Sequence, residues 1–543
     1  MTDPAASHYL IGVDVGTGSA RAGVFDAGGQ LLASARQPIT IWHEAGDRVE
    51  QSAGQIWAAV CTSVREAVAR AAIDPARVAG IGFDATCSLV AVKADGTPVT
   101  LSRTGDPARN VMVWMDHRAA GEAAEINAGS HAVLRYVGGR ISPEMQTPKL
   151  LWLRRNLPAS FAAADHFFDL ADYLTWRASG SASRSTCTVT CKWTYLAHEK
   201  RWDAGYFNAI GLGDLVDEGF ARIGTDIVEP GTALGQGLSV AAAKDLGLHP
   251  GTAVAAALID AHAGGIGTLG VPIPGAADIS NRLAYVFGTS ACSLASTTEP
   301  VFVNGVWGPY FSAMLPGLWL NEGGQSAAGA AMDHLVTMHP ASAQAAALAR
   351  AAGQSLVGWL DHRALAACAS ADQAVHLAGG LHVVPEFLGN RSPLADPDAR
   401  AVIAGLGLDG GVDDLTGLYV AGLCGIGYGL RQLLDAFALD GIRIETIVAS
   451  GGAAQSALVR QVLADATGVA VAVPLAPEPV LLGAAMLAAV AAGHSATLAQ
   501  AMALMSGEST LYQPAEGAVQ TRHASRYGAF KMLQTVGRQI KAA

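Results

Sequence analysis

The stretch "IGVDVGTGSARAGVF", Ile11 to Phe25, sets glycine, threonine, glycine and serine between two apolar runs, just after Asp14. Residues 8–15 read as a strand, Gly16 to Ser19 as a turn and residues 20–26 as a second strand. The "AGG" that follows turns the chain again into a third strand over 31–36, which makes an antiparallel meander. Helical periodicity runs from Ile56 to Ala72, and a further strand, "VAGIGFDA", leads through "TCS" into "LVAVKADG" with its Asp-Gly hairpin signal. A meander, a helix and more strands predict an α/β unit built on a mixed sheet with covering helices.

The opening motif has an echo. "AYVFGTSACSLAS", Ala284 to Ser296, repeats strand, glycine-threonine-serine turn and strand. A strand-like "WGPYFSAML" and a helix-like "SAAGAAMDHLV" follow it. A long helix is expected in "VDDLTGLYVAGLCGIGYGLRQLLDAFALDG", where each interior glycine costs about 1 kcal/mol against alanine and so points to close packing. The strand "IETIVAS", the loop "GGAAQ", the helix "SALVRQVLADATG" and the strand "VAVAVP" complete a βαβ-like unit. The chain therefore reads as a duplication, with the junction between halves near Gly264 to Ala277.

Composition limits the classes. At 543 residues the chain exceeds what one core supports, so two large domains are expected. Half of it is apolar (51%) and 15% is charged, a folded rather than a disordered balance. The longest apolar run, near Leu482, is too short for a membrane span, and "MTDPAASHYL" lacks a basic and apolar leader, so a cytoplasmic protein with no membrane partner is expected. A net charge of −11 argues against nucleic acid as a partner. Seven scattered cysteines favour reduced thiols, and Cys187 with Cys191 has no matching second pair that would signal zinc.

The two turns suggest a chemistry. Glycine lets backbone N–H groups approach an anion, and Thr17, Ser19, Thr289 and Ser290 add hydroxyls. Asp14 beside phosphates would repel them unless Mg²⁺ intervened. Alone, "DVGTGS" is an ordinary β-turn; two such turns at the starts of duplicated halves would face each other across a cleft and hold a nucleotide. "SGGAAQSALVRQVLAD" reads as a turn at a helix N-terminus suited to the same ligand. "LIDAHAGG" places Asp260 and His262 after an apolar strand, where a carboxylate could take a hydroxyl proton during phosphoryl transfer. Polar groups in "DATCS", "VWMDHRAA", "CKWTY" and "NEGGQSAAG" could line a pocket for a polyhydroxylated substrate.

Together these motifs resemble the FGGY carbohydrate kinases of the actin, hexokinase and chaperone superfamily, from Leu10 to about Leu533. "GFDATCSLV", "VWMDHRA", "GNRSPLADPDAR" and "YQPAEGAVQTRHASRYGAFKML" are most similar to the D-ribulokinase branch, and "TCS" departs from the methionine–histidine pair common in xylulokinases. The resemblance implies two duplicated actin/hexokinase-like (ribonuclease H-like) domains around a cleft: a sugar domain over 8–268, a nucleotide domain over 278–495 and a packed tail over 496–543. It implies Asp260 as catalytic base, and Thr86, Cys87, Trp114, Asp116, Arg118, Lys192 and Glu322 around the sugar. ATP falls to Asp14, Gly16, Thr17, Gly18, Ser19, Arg21, Gly288, Thr289, Ser290, Gln325, Gly451, Gly452, Ala453 and Gln455, with Mg²⁺ held by Asp14 (through water) and Asp260. The expected reaction is ATP-dependent phosphorylation of a ketopentose, D-ribulose foremost, with L-ribulose, ribitol, D-xylulose or a chaperone-like ATPase switch as alternatives. A homodimer is the expected assembly.

Overall fold

A computed structural model describes residues 8–275 and 278–542. The opening stretch forms β1 (Tyr9–Gly16) and β2 (Ser19–Phe25), paired antiparallel with Gly16 opposite Ser19, and β3 (Leu31–Pro38) adds to β2. Helix α1 (Ala53–Ala71) starts at Ser52, whose side chain accepts the Gln55 amide, and buries Ile56, Trp57, Val60, Val64 and Val68 against this sheet. Strand β4 (Val78–Ala85) then pairs parallel to β1, setting Asp84 beside Asp14. Between the sheet's repeats lies helix α2 (Thr186–Trp193), buried along its whole length. Two-residue strands β5 (Ala253–Val254) and β6 (Leu258–Ile259) complete the sheet on the far side of β4. Helix α3 (Asp260–Leu269) follows at once.

The second half repeats the plan. β7 (Arg282–Phe287), β8 (Ala291–Thr297), β9 (Trp307–Phe311) and β10 (Trp319–Gln325) are antiparallel neighbours in the order β9–β10–β8–β7. Helix α4 (Val412–Leu439) leads to β11 (Thr446–Ser450), parallel to β7, and then to α5 (Ala457–Thr467), β12 (Ala470–Pro474) and α6 (Pro479–Ala491). Residues 496–543 do more than pack on the body: β13 (Ser509–Tyr512) joins β12 as the seventh strand of the sheet, and α7 (Gly517–Ala542) ends the chain.

The strand read in "WGPYFSAML" is present as β9, and β10, "WLNEGGQ", which the sequence reading left out, lies between it and β8. Its Asn-Glu-Gly-Gly run hides a strand because those polar groups face buried partners instead of water. Part of the expected junction region is helical. Gly264 to Leu269 is the buried body of α3, not a linker, and Ala276 and Ala277 lie outside the described residues, as do residues 1–7 of the N-terminal reading. Close packing of α4 at its glycines is present: a Cβ at Gly425 would stand 2.3 Å from the Val383 carbonyl oxygen, and one at Gly427 2.6 Å from the Ala466 methyl.

The halves are locked by exchange. α6, from the second half, lies on β1, β2 and β4 of the first sheet, and α3, from the first half, lies on β7 and β11 of the second. Where α3 crosses α6, a Cβ at Gly267 would fall 1.9 Å from the Pro479 carbonyl oxygen, and one at Gly483 2.0 Å from that of Ala263. The Gly12 and Gly82 positions meet the Leu481 and Ala484 carbonyls in the same way, at 1.9 and 2.0 Å. Backbone thus touches backbone. Gly483→Ala is expected to destabilise the protein by about 1–3 kcal/mol despite the helix-propensity gain of about 1 kcal/mol. Gly507→Ala, where a Cβ has open space, should stay within about 0.5 kcal/mol; denaturant unfolding of the two variants checks this.

Candidate active site

The two hairpin turns meet at one cavity of about 300 Å³ between the halves. Asp14, Gly16, Thr17 and Arg21 line it from the first hairpin, and Gly288, Thr289 and Ser290 from the second. Thr86, Cys87, Trp114, Lys192, Asp260 and Glu322 line it too, together with Glu144, Cys292 and Arg391. A second cavity of about 790 Å³ shares Gly288 and Thr289 and carries Gly452, Ala453, Gln455, Ser355, Asp361 and Tyr419.

The glycines fall into two kinds. A Cβ at Gly288 would meet nothing nearer than 3.7 Å, one at Gly16 nothing nearer than 3.9 Å, and one at Gly18 nothing within 4 Å. None of the three has a positive φ. The protein's own packing does not require them to lack a side chain, and Gly16 and Gly288 leave their backbone open to the cleft. Gly451 is the opposite case, with φ +93° and the Phe287 carbonyl oxygen 2.3 Å from a would-be Cβ. It shapes the turn without lining either cavity.

Asp260 is the first residue of α3, and its carboxylate accepts the Ala261 amide at 2.7 Å. Burial and the neighbouring Asp14 push its carboxyl up to about 6. Asp84 faces Asp14 across the β1–β4 pairing, and neither of its buried oxygens has a hydrogen-bond partner. Burial first and Asp14 second hold its carboxyl well above the ordinary value. Arg21 binds Asp14 from the paired strand and reaches Glu478, just before α6, at 2.8 Å, so this ion pair bridges the two halves. Trp114 is oriented by its indole N–H, which donates to the Thr17 hydroxyl at 3.0 Å.

On the other side of the cavity Glu322 accepts Arg391 at 2.6 Å. Against burial, which raises it, Lys192, His262 and Arg391 hold the Glu322 carboxyl well below the usual range. Lys192 and Arg391 both sit over the Trp307 ring, 4.6 and 4.4 Å from its centre. Cys87 is pushed up to about 12 by burial and so lines the cavity as a neutral thiol.

Several expected residues lie elsewhere. Asp116 and Arg118 do not reach the cavity. Arg118 binds Asp116 and, at 2.8 Å, Glu50, and all three side chains are buried. They form an internal ion network that also fixes the Val49 amide. Gln325 accepts the Tyr285 hydroxyl and donates to the Ile426 carbonyl, both at 3.0 Å, bracing α4 instead of lining either cavity. Ser19 is buried at the start of β2, and Gly18 is the exposed tip of its turn. The "GGAAQ" segment is a short 3-10 turn, and the N-terminus of α5 is capped by its own Ser456.

Sequence reasoning left out Asp84 and Arg391 as site residues, although both stood inside quoted motifs. The β1–β4 register would have exposed the first, and the charge of Glu322 the second. Ser355, Asp361 and Tyr419 carry no local pattern that marks them.

Two family models cover most of the chain: the N-terminal domain of the FGGY family of carbohydrate kinases over residues 9–267 and its C-terminal domain over 283–492. An FGGY carbohydrate kinase domain-containing protein of Danio rerio is 45% identical over 97% of this chain and 97% of its own. A D-ribulokinase of Saccharomyces cerevisiae is 39% identical over 90% of this chain and 72% of its own. Among solved structures, the "xyloylose kinase" of Brucella ovis superposes with a TM-score of 0.80 at 21% identity, covering 98% of this chain and all of that one, which speaks for the two-domain actin-like fold. With both domains matched in order and relatives aligned nearly end to end, the chain belongs to the FGGY family of carbohydrate kinases.

Proposed function

We propose that this carbohydrate kinase transfers the γ-phosphoryl group of ATP to the primary C5 hydroxyl of D-ribulose, with Asp260 as the general base. The observation that carries the reading is the convergence of both hairpin turns, Asp260, Lys192 and Glu322 on one cavity. Similarity to a D-ribulokinase supports the choice of sugar, and membership of a sugar-kinase family sets aside a chaperone-like switch.

Each residue has a physical task. Glu322 accepts and Lys192 donates to sugar hydroxyls, and the Trp114 ring offers an apolar face. The Asp260 carboxylate takes the hydroxyl proton as that oxygen bonds to the γ-phosphorus and the bond to ADP breaks. The bare N–H groups of the two turns receive the phosphates, and the adenosine lies in the adjoining larger cavity. Alignment of this kind supplies about 7–11 kcal/mol in well-oriented systems. Mg²⁺ fits the residues present: Asp14, Asp84 and Asp260 are hard oxygen donors, and the Asp84 oxygens lack any other partner. When bound, the ion would neutralise phosphate charge.

A coupled ADP-release screen over D-ribulose, L-ribulose, ribitol, D-xylulose and glycerol at equal concentration is expected to give the highest kcat/KM with D-ribulose; a clear preference for another member overturns the choice of sugar. Asp260→Asn should lower kcat by about 10²–10⁴ while ADP still binds. Because the base must be ionised and its carboxyl is pushed up to about 6, kcat/KM should rise with pH, reach half its plateau at about pH 6 and level off about one unit above it. A profile flat down to pH 4.5 would remove Asp260 from that role. Asp84→Asn should weaken ADP binding only when Mg²⁺ is present, as titration calorimetry with and without the ion would show.

A further inference from the structure

We propose that Cys187 and His262 are positioning residues for the carboxylate of Glu322, forming with it a buried relay behind the sugar. The proposal rests on the reading of that cavity as the sugar site. Cys187 lies on α2, one turn before Cys191 and five residues before Lys192. His262 lies on α3, two residues beyond Asp260, and all three relay side chains are buried. The Cys187 sulfur is 3.0 Å from Nδ1 of His262 and also accepts the Ile259 amide at 3.4 Å. His262 Nε2 stands 3.5 Å from Oε2 of Glu322. The other Glu322 oxygen is the one that accepts Arg391.

One thiol therefore touches both the amide preceding the base and the ring behind the acid. It joins α2, which bears Lys192, to α3, which bears Asp260, and through the imidazole to β10, which bears Glu322. The arrangement answers a mechanical need. Glu322 lies among cations, and a carboxylate held at Oε1 alone can still turn about its last bond. A second contact at Oε2 fixes that rotation, leaving defined lone pairs for the sugar.

Two cysteines and a histidine within 4.8 Å of one another are also a zinc donor set. The distance decides against it. Sulfur and nitrogen ligands of one tetrahedral zinc stand about 3.5 Å apart at ordinary bond lengths, whereas Cys187 and His262 are in direct contact at 3.0 Å.

The test uses the full chain, with D-ribulose or the best substrate of the screen, and ATP varied separately. Cys187→Ala is expected to raise the sugar KM about tenfold, the scale of one lost hydrogen bond to a charged group, with the ATP KM and melting temperature close to wild type. Cys187→Ser should bring the sugar KM most of the way back. His262→Asn, an independent handle if Cys187→Ala does not fold, should raise the sugar KM in the same way, and the double variant should be no worse than His262→Asn alone. An unmoved sugar KM in Cys187→Ala with normal wild-type turnover overturns the relay alone. So does a parallel loss of sugar affinity, ATP affinity and melting temperature, or stoichiometric zinc in the purified wild-type protein. Absence of any sugar-dependent ADP release by wild type overturns the sugar-site reading and the relay with it.

Discussion

The crossing of α3 and α6 is the contact on which the rest depends. Each helix belongs in sequence to one half and in packing to the other sheet, so neither half buries its core alone. Glycine against carbonyl at Gly267 and Gly483 lets the two axes come closer than any side chain would allow. Both helices begin at the floor of the cleft. Asp260 opens α3, and Glu478 stands immediately before α6. Asp260 is thus placed by a closely packed helix rather than by a loop.

The cleft separates its charges. Asp14, Asp84 and Asp260 gather where the first turn offers N–H groups, and Lys192 and Arg391 gather around Glu322. The first group repels itself, which is why burial and Asp14 together lift Asp84 and Asp260. The second attracts itself strongly, which keeps Glu322 ionised in a buried place. The cavity therefore has a self-repelling acidic pole and a compensated mixed-charge pole, two environments of different electrostatic character within one cleft.

How far the sequence revealed this depends on what each residue answers to. The hairpins were legible because their glycines meet open space and not a neighbour, so they stood out against two apolar strands. Asp260 stood out as a carboxylate ending an apolar run, and the structure sets it in the cleft. Asp116 and Arg118 misled for a physical reason: a polar cluster beside a tryptophan looks like a pocket, but Glu50 completes a buried network that hides both. "NEGGQ" concealed β10 because the strand's polar side chains pair inside the protein. The contacts of Cys187 with His262 and of Glu322 with Arg391 join positions far apart in the chain, and no local period carries them.

The duplicated halves differ in charge at equivalent positions. Register equates Asp14 with Val286, each two residues before its turn glycine, and their parallel partners are Asp84 and Ser450. Across the hairpin, Arg21 opposite Asp14 corresponds to Cys292 opposite Val286. The first half therefore keeps Asp14 and Asp84 where the second keeps Val286 and Ser450. Arg21 of the first half reaches across to Glu478 of the second at 2.8 Å. One wall of the cleft thus carries Asp14, Asp84 and Asp260, while the other keeps a bare turn at Gly288, so the same hairpin stands in two different electrostatic settings.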